Sequence, residues 1–194
     1  VSNQAGRSNI LSRLEKYGVT IDSKDKNVQK ILDKVKEREF SGYSYDGADA
    51  SFELLANRLL GKVPEYLKVE SYNVSVSKSE KILTKANVVF LIDGKKIECT
   101  GEGNGPVNAL DNAIRSNFKK VEKYYNFFSD LKLVDYKVRI LNTGTEATTR
   151  VLIESTDKTG VSWFTVGVSP NIIEASFKAL IDSLDYKLYK EKAP

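Results

Sequence analysis

GEGNGPVNALDNAI, residues 101–114, and VGVSPNIIEASFKAL, residues 166–180, decide the fold, because each turns a strand into a helix in the same way. Laid over one another they agree position by position. Gly101 falls on Gly167, Val107 on Ile173, Ala109 on Ala175, Ala113 on Ala179 and Ile114 on Leu180. After Gly105 the apolar residues switch to helical spacing, with Pro106 at the first helical position and Leu110, Ile114, Phe118, Val121 and Tyr125 on one face. The same switch follows Asn171 in NIIEASFKALIDSL.

Working backwards from each corner gives the same three strands. In the first copy Tyr72, Val74 and Val76 alternate with polar residues, Val88 to Ile92 is a short apolar run, and Asp93-Gly94 is a tight hairpin turn before Lys95 to Thr100. In the second copy Tyr136, Val138 and Ile140 alternate, Arg150 to Glu154 carries the apolar run, and TDKTG ends at Gly160 before Val161 to Val168. The fold class is therefore α+β: a pseudo-twofold pair of βββα units, about residues 66–128 and 131–190 within a domain over 66–194, joined through residues 129 to 134. Two copies make a symmetric pair and not a solenoid, which needs at least three. Neither unit buries its apolar sheet face and helix alone, so the two are expected to pack together.

Residues 1–61 have a different character and form a small helical linker subdomain. Val28, Ile31, Leu32 and Val35 mark one amphipathic helix; Ala48, Phe52, Leu55 and Leu59 mark another, with Gly61 placed to end it. The faces through Leu32 and Phe52 are candidates for sitting against a surface outside this chain. Between the helices, GYSYDG is a plain loop or, as the alternative, a functional tyrosine site. Pro64 lies at the boundary before the strands.

Composition excludes several classes of chemistry. The chain has no histidine and one cysteine, so a Ser-His-Asp triad, a Cys-His dyad and a zinc site are all excluded. Cys99, inside VVFLIDGKKIECTG, is a candidate buried strand residue and not a nucleophile. The formal charge of +4 comes from lysines spread along the whole chain, which does not make a nucleic-acid face. No run approaches the roughly 20 apolar residues of a membrane span, nor does the start look like a secretion signal, so a cytoplasmic location is expected.

A pseudo-symmetric pair has a cleft on its axis, where the helices starting at Gly105 and near Asn171 offer backbone N–H groups and positive dipole ends to a carboxylate. The glycines of GEGNGP permit close approach, and the small residues of TGTEATT leave room beside Leu133, Tyr136 and Ile140. Such a place suits a small zwitterion with an apolar side chain. A plain structural corner is the alternative on these features alone. A phosphate loop is disfavoured because GK[ST] is missing.

The residues also resemble a family. AGRSNIL at 5–11, GADASFELL at 47–55, GEGNGPVNAL at 101–110, TGTEATTRVLIE at 143–154 and WFTVGVSPNIIEASFKALIDSLDYKL at 163–188 look like the C-terminal half of the isopropylmalate/citramalate synthases, with the form of the first two closest to citramalate synthase. The resemblance covers essentially the whole chain.

It implies a linker and an allosteric domain of an acyltransferase whose separate (β/α)8 barrel condenses acetyl-CoA with a 2-oxo acid on a divalent metal. Nothing in 1–194 forms that barrel, so no catalytic residue, metal ligand or cofactor is expected in this chain. The resemblance further implies a homodimer that works on its own barrel, with feedback by isoleucine in the citramalate branch or leucine in the isopropylmalate branch. Carried over by motif, the effector contacts are Gly105, Val107, Asn108, Leu133, Tyr136, Ile140, Ala147, Thr149, Pro170 and Ile172. Ile140 and Ile172 would narrow the pocket in favour of isoleucine. The remaining alternative is a structural dimerisation domain that binds no amino acid.

Overall fold

The computed structural model describes residues 3–19, 21–141 and 147–194. Three helices come first: α1 (Asn3–Lys16), α2 (Lys26–Phe40) and α3 (Asp49–Leu59). Asp25 starts α2 by accepting a hydrogen bond from the Asn27 N–H, and its apolar stripe of Val28, Ile31, Leu32 and Val35 is buried. Gly61, at φ +68, sits just beyond α3, where a left-handed residue is needed. Leu32 and Phe52 are buried within the chain, packed with Ile10, Leu14 and Tyr45, so their faces are covered without an outside partner.

The repeat follows. Strands β1 (Lys68–Lys78), β2 (Ile82–Ile92) and β3 (Lys95–Gly103) form one antiparallel sheet followed by α4 (Pro106–Asn117); β4 (Lys132–Ile140), β5 (Thr149–Thr156) and β6 (Ser162–Ser169) form a second, followed by α6 (Ile172–Lys190). A short helix α5 (Tyr125–Phe128) lies between them. The two sheets share even their irregularities, with one register shift between Val69 and Ser71 and its counterpart between Leu133 and Asp135. Asp93 and Gly94 both take positive φ, 50° and 76°, the requirement of a two-residue hairpin turn whose twist matches its strands.

The corner glycines explain why the repeat is legible. A Cβ on Gly101 would lie 2.3 Å from the Ala113 nitrogen, and one on Gly167 would lie 1.9 Å from the Ala175 oxygen. At both places the helix backbone rests directly on the strand, which only glycine permits. Val88, Phe90 and Cys99 of the first sheet, Val151 and Ile153 of the second, and Leu110, Ile114 and Leu180 of the helices share one buried core. Burial also pushes the Cys99 thiol up, in keeping with a packed strand residue. The ring of Tyr72 on β1 packs at a tilt against Phe177 of α6, centroids 4.4 Å apart, which ties the first unit to the second.

One expectation is corrected. The helix after Gly105 does not continue to Tyr125: α4 stops at Asn117, whose side-chain amide donates to the Thr100 and Ala113 carbonyls. A single 3₁₀ turn over Phe118–Lys120 follows, Phe118 and Val121 remain buried, and Tyr125 is exposed. The inward apolar residues therefore kept helical spacing past the point where the helix had ended.

The linker helices and the repeat are joined by a polar seam. Val166 N–H, on the free edge of β6, donates to Ser51 Oγ, which donates in turn to Asp182. Arg58 of α3 bridges Asp182 at 2.7 Å and Asp185 at 2.6 Å on α6. Tyr186 Oη donates to buried Glu53, which also pairs with Lys190. Farther along, buried Lys187 joins Asp157, Asp130 and Glu191. Burial alone would raise Asp157, but Lys187 and Thr159 outweigh it and hold the carboxyl at about 2.

Asp185 goes the other way. Burial raises its carboxyl from 3.8 to about 7, Arg58 opposing and Asp182 adding to the rise. Between those values the folded chain keeps a proton that the unfolded chain has released. This contribution to stability is full below about pH 4 and is lost as the pH rises through about 7. In urea unfolding between about pH 4 and pH 8, the stability of the parent chain relative to D185N should fall as pH rises. A constant gap, or one that widens in the parent's favour, would contradict this account.

Candidate functional site

The cleft between the two helix starts is present and is asymmetric. Gly105 precedes α4 in extended backbone, φ −166° and ψ 172°, and has no side chain to cap the helix. The first helical bond runs from the Ala109 N–H to the Gly105 carbonyl at 2.9 Å. Pro106 has no N–H, so Val107 and Asn108 carry the free donors of the first turn, and neither has a partner among the described residues. The equivalent residue of the second unit is Asn171, whose Oδ1 accepts from Ile173 N–H at 2.8 Å and Glu174 N–H at 3.3 Å. Helix α6 is thereby capped. The expectation that both helices present free N–H groups is narrowed: α4 leaves those of Val107 and Asn108 uncovered, whereas at α6 Asn171 covers those of Ile173 and Glu174.

Around the open end of α4 lies a cavity of about 260 Å³, lined by Gly105, Pro106, Val107, Asn108, Tyr136, Ile172 and Ile173. The walls are apolar and the polar groups are few. Tyr136 contributes its ring, since its hydroxyl is already used: Ser176 Oγ gives its hydrogen to the Ile172 carbonyl at 2.6 Å, so Tyr136 Oη donates to Ser176 Oγ at 2.8 Å. Asn108 is also partly committed. Its Oδ1 accepts from the Asn104 N–H at 3.1 Å, closing the glycine loop over the helix start. Its amide nitrogen has no partner among the described residues and only donates, so it matches a ligand's carboxylate and not its ammonium. The uncovered backbone N–H groups and the amide nitrogen, all donors, belong to Val107 and Asn108, which border a small and almost wholly apolar space.

The cavity brings together Gly105, Val107, Asn108, Tyr136 and Ile172 of the ten residues carried over by motif. The others lie around it. Leu133 packs into the main core, Ile140 is 66% exposed near the free end of β4, and Thr149 is buried on β5 between Ile140 and Ser169. Ala147 is half-buried just past residues 142–146; most of TGTEATT therefore lies outside the described residues. Pro170 faces a separate, larger groove of about 690 Å³ between the linker and the second sheet. Pro106 and Ile173 complete the cavity wall. The repeat already contained the signal for Ile173, because it is the counterpart of Val107.

Glu174, beside this corner, is held below its usual range by the Ser169 hydroxyl and by Lys178, so it is a fixed negative charge. It lines the larger groove and not the cavity. A ligand carboxylate at α4 therefore does not meet it.

The family model described as the LeuA allosteric (dimerisation) domain matches residues 46–188. Its start at α3, ahead of the first strand, follows the polar seam that binds α3 to α6. The chain is 47% identical to an (R)-citramalate synthase of Geobacter sulfurreducens, over 99% of this chain and 37% of that protein. It is 45% identical to an (R)-citramalate synthase of Aquifex aeolicus over the same shares. Identity to a 2-isopropylmalate synthase of Aquifex aeolicus is 26%, over 99% of this chain and 34% of that protein. The chain thus spans a little over a third of the length of the curated relatives it matches. With a family model over most of its length and relatives at 45–47% identity across nearly all of it, this chain belongs to the LeuA allosteric (dimerisation) domain family.

Proposed function

We propose that this chain is the effector-binding regulatory part of an acyltransferase that condenses acetyl-CoA with pyruvate to give citramalate, and that it binds the end-product amino acid isoleucine for feedback inhibition. The observation that carries the reading is the uncapped start of α4, whose first residues line an apolar cavity, while at its symmetry mate Asn171 covers the Ile173 and Glu174 N–H groups. A carboxylate supplies the acceptor that the Val107 and Asn108 N–H groups lack, and a branched side chain fills the space among Val107, Tyr136, Ile172 and Ile173. Around this, Ile140 and Thr149 form the proposed rim on the β4–β5 end, with Ala147 beside them. The printed names of the relatives at 40–47% identity support the citramalate branch.

The working unit is proposed to be a cytoplasmic homodimer. Val76, Ile82, Val138 and Ile140 are exposed at the strand ends that the helices leave uncovered, which supports a partner surface there. The divalent metal and acetyl-CoA belong to the proposed barrel. The residues of this chain do not fit a metal: it has no histidine, and no cluster of three or more potential ligands occurs among the described residues. The condensation is therefore assigned to the barrel.

Calorimetry of the chain with isoleucine, leucine, valine and a straight-chain control tests the proposal. Saturable binding with isoleucine tightest is expected, by roughly 1–3 kcal/mol over leucine, which is what the placement of one methyl group provides. Leucine binding tighter would move the chain to the isopropylmalate reading. A folded, dimeric sample that gives no heat with any amino acid would support a purely structural domain.

A further inference from the structure

The cavity and the larger groove both border the second unit, the cavity through Tyr136 and Ile172 and the groove through Leu141, Arg150 and Pro170. Side chains alternate along a strand, so the end of the β4–β5 hairpin shows a different set of residues to each side. Ile140 and Thr149, paired across the strands, lie on the side that faces the helices and the cavity. Their neighbours Leu141, Thr148 and Arg150 line the groove on the linker side. The β6–α6 corner divides in the same way, with Pro170 in the groove and Ile172 in the cavity.

On the linker side this wall touches one residue closely. Gly42 follows α2 at φ +106°, a conformation open to glycine, and a Cβ there would lie 2.7 Å from Leu141 and 3.4 Å from Thr148. Gly42 N–H donates to Glu39 and Tyr43 N–H to Arg38, so Gly42 is also what ends α2. Arg150 Nε donates to the Gly42 carbonyl at 2.7 Å across the groove. Arg139 stands directly opposite Arg150 in the strand register, a like-charge pair that disfavours a position over the strand and leaves the Gly42 carbonyl as the acceptor.

We infer that the Arg150–Gly42 contact transmits occupancy of the cavity to the linker helices. This rests on the effector reading above. A ligand that orders Ile172 and the β4–β5 end also fixes the Leu141, Thr148 and Arg150 seat on which the end of α2 rests. The other charged groups that line the groove, Lys178 and Glu174, pair with each other. Arg150 is thus a positioning residue of the regulatory response and touches no proposed effector atom.

The test is calorimetry with isoleucine combined with amide hydrogen exchange of the full chain, with and without isoleucine, on the parent, R150Q and R150K. In the parent, saturating isoleucine is expected to slow exchange over residues 42–48 by about tenfold. R150Q is expected to bind isoleucine within about threefold of the parent and to lose that slowing, while R150K, which keeps a donor, regains part of it. If the parent binds isoleucine and its loop exchange is unchanged, or if R150Q keeps the full slowing, the inference is overturned. If the parent binds no isoleucine, the effector reading falls and takes the inference with it, an outcome that calorimetry separates from the other two.

Discussion

Gly167→Ala should lower the stability of the chain by about 3 kcal/mol or more, the upper range for forcing an atom into a packed interior. The added methyl would lie 1.9 Å from the Ala175 oxygen, 2.8 Å from the Ala179 nitrogen and 3.0 Å from the Ala175 carbonyl carbon. None of these belongs to a side chain that can turn away. To make room, α6 must lift off β6, and its buried face of Leu180, Leu184 and Leu188 lifts with it. For a chain of this size the loss corresponds to a fall of roughly 6–12 °C in Tm. Gly105→Ala is the control, because a Cβ there meets nothing within 4 Å and the backbone is extended. Urea unfolding of both variants should separate them clearly. A loss below about 1 kcal/mol for G167A would show that the helix does not rest on the strand as closely as described.

The second large effect is on binding. Gly105→Asn places in the first unit the cap that Asn171 provides in the second. Stability should change by only a few tenths of a kcal/mol, in the favourable direction, because glycine is itself tolerated at a helix start. Isoleucine affinity should fall by about 10- to 100-fold, since a side-chain oxygen would occupy the donors proposed for the ligand's carboxylate, and hydrogen bonds to a charged group contribute about 1.5–3 kcal/mol. Calorimetry gives the affinity and thermal unfolding gives the stability. Unchanged affinity in a folded G105N chain would remove the carboxylate from the start of α4. Taken together, the substitutions separate two uses of glycine: at 167 to let backbones touch, at 105 to leave donors uncovered.

Much of this was legible in the residues because the repeat places unusual demands on particular positions. Gly101 and Gly167 are required by contact between strand and helix, and Asp93-Gly94 by turn geometry, so each declares itself locally. The asymmetry of the site was also visible as Gly105 against Asn171, yet its meaning depends on which side-chain oxygen meets which N–H. That is a matter of geometry. The early end of α4 was hidden because Phe118 and Val121 stay buried after the helix stops, so the apolar spacing did not change. Nor did local pattern mark Arg150 and Gly42, which meet across 108 positions of sequence. The same holds for Leu32 and Phe52. Their spacing showed that the faces would be buried, while only the packing showed that the chain covers them itself.

The most direct test of the central claim is an amide chemical-shift titration of the ¹⁵N-labelled chain with isoleucine. The account predicts that the largest changes fall on the Val107 and Asn108 amides, the two uncovered donors of α4, with smaller changes at Ile172 and Ile173 and little at the already capped Glu174. Shifts that saturate but cluster away from the start of α4, or an α6 start that responds more strongly than α4, would contradict it.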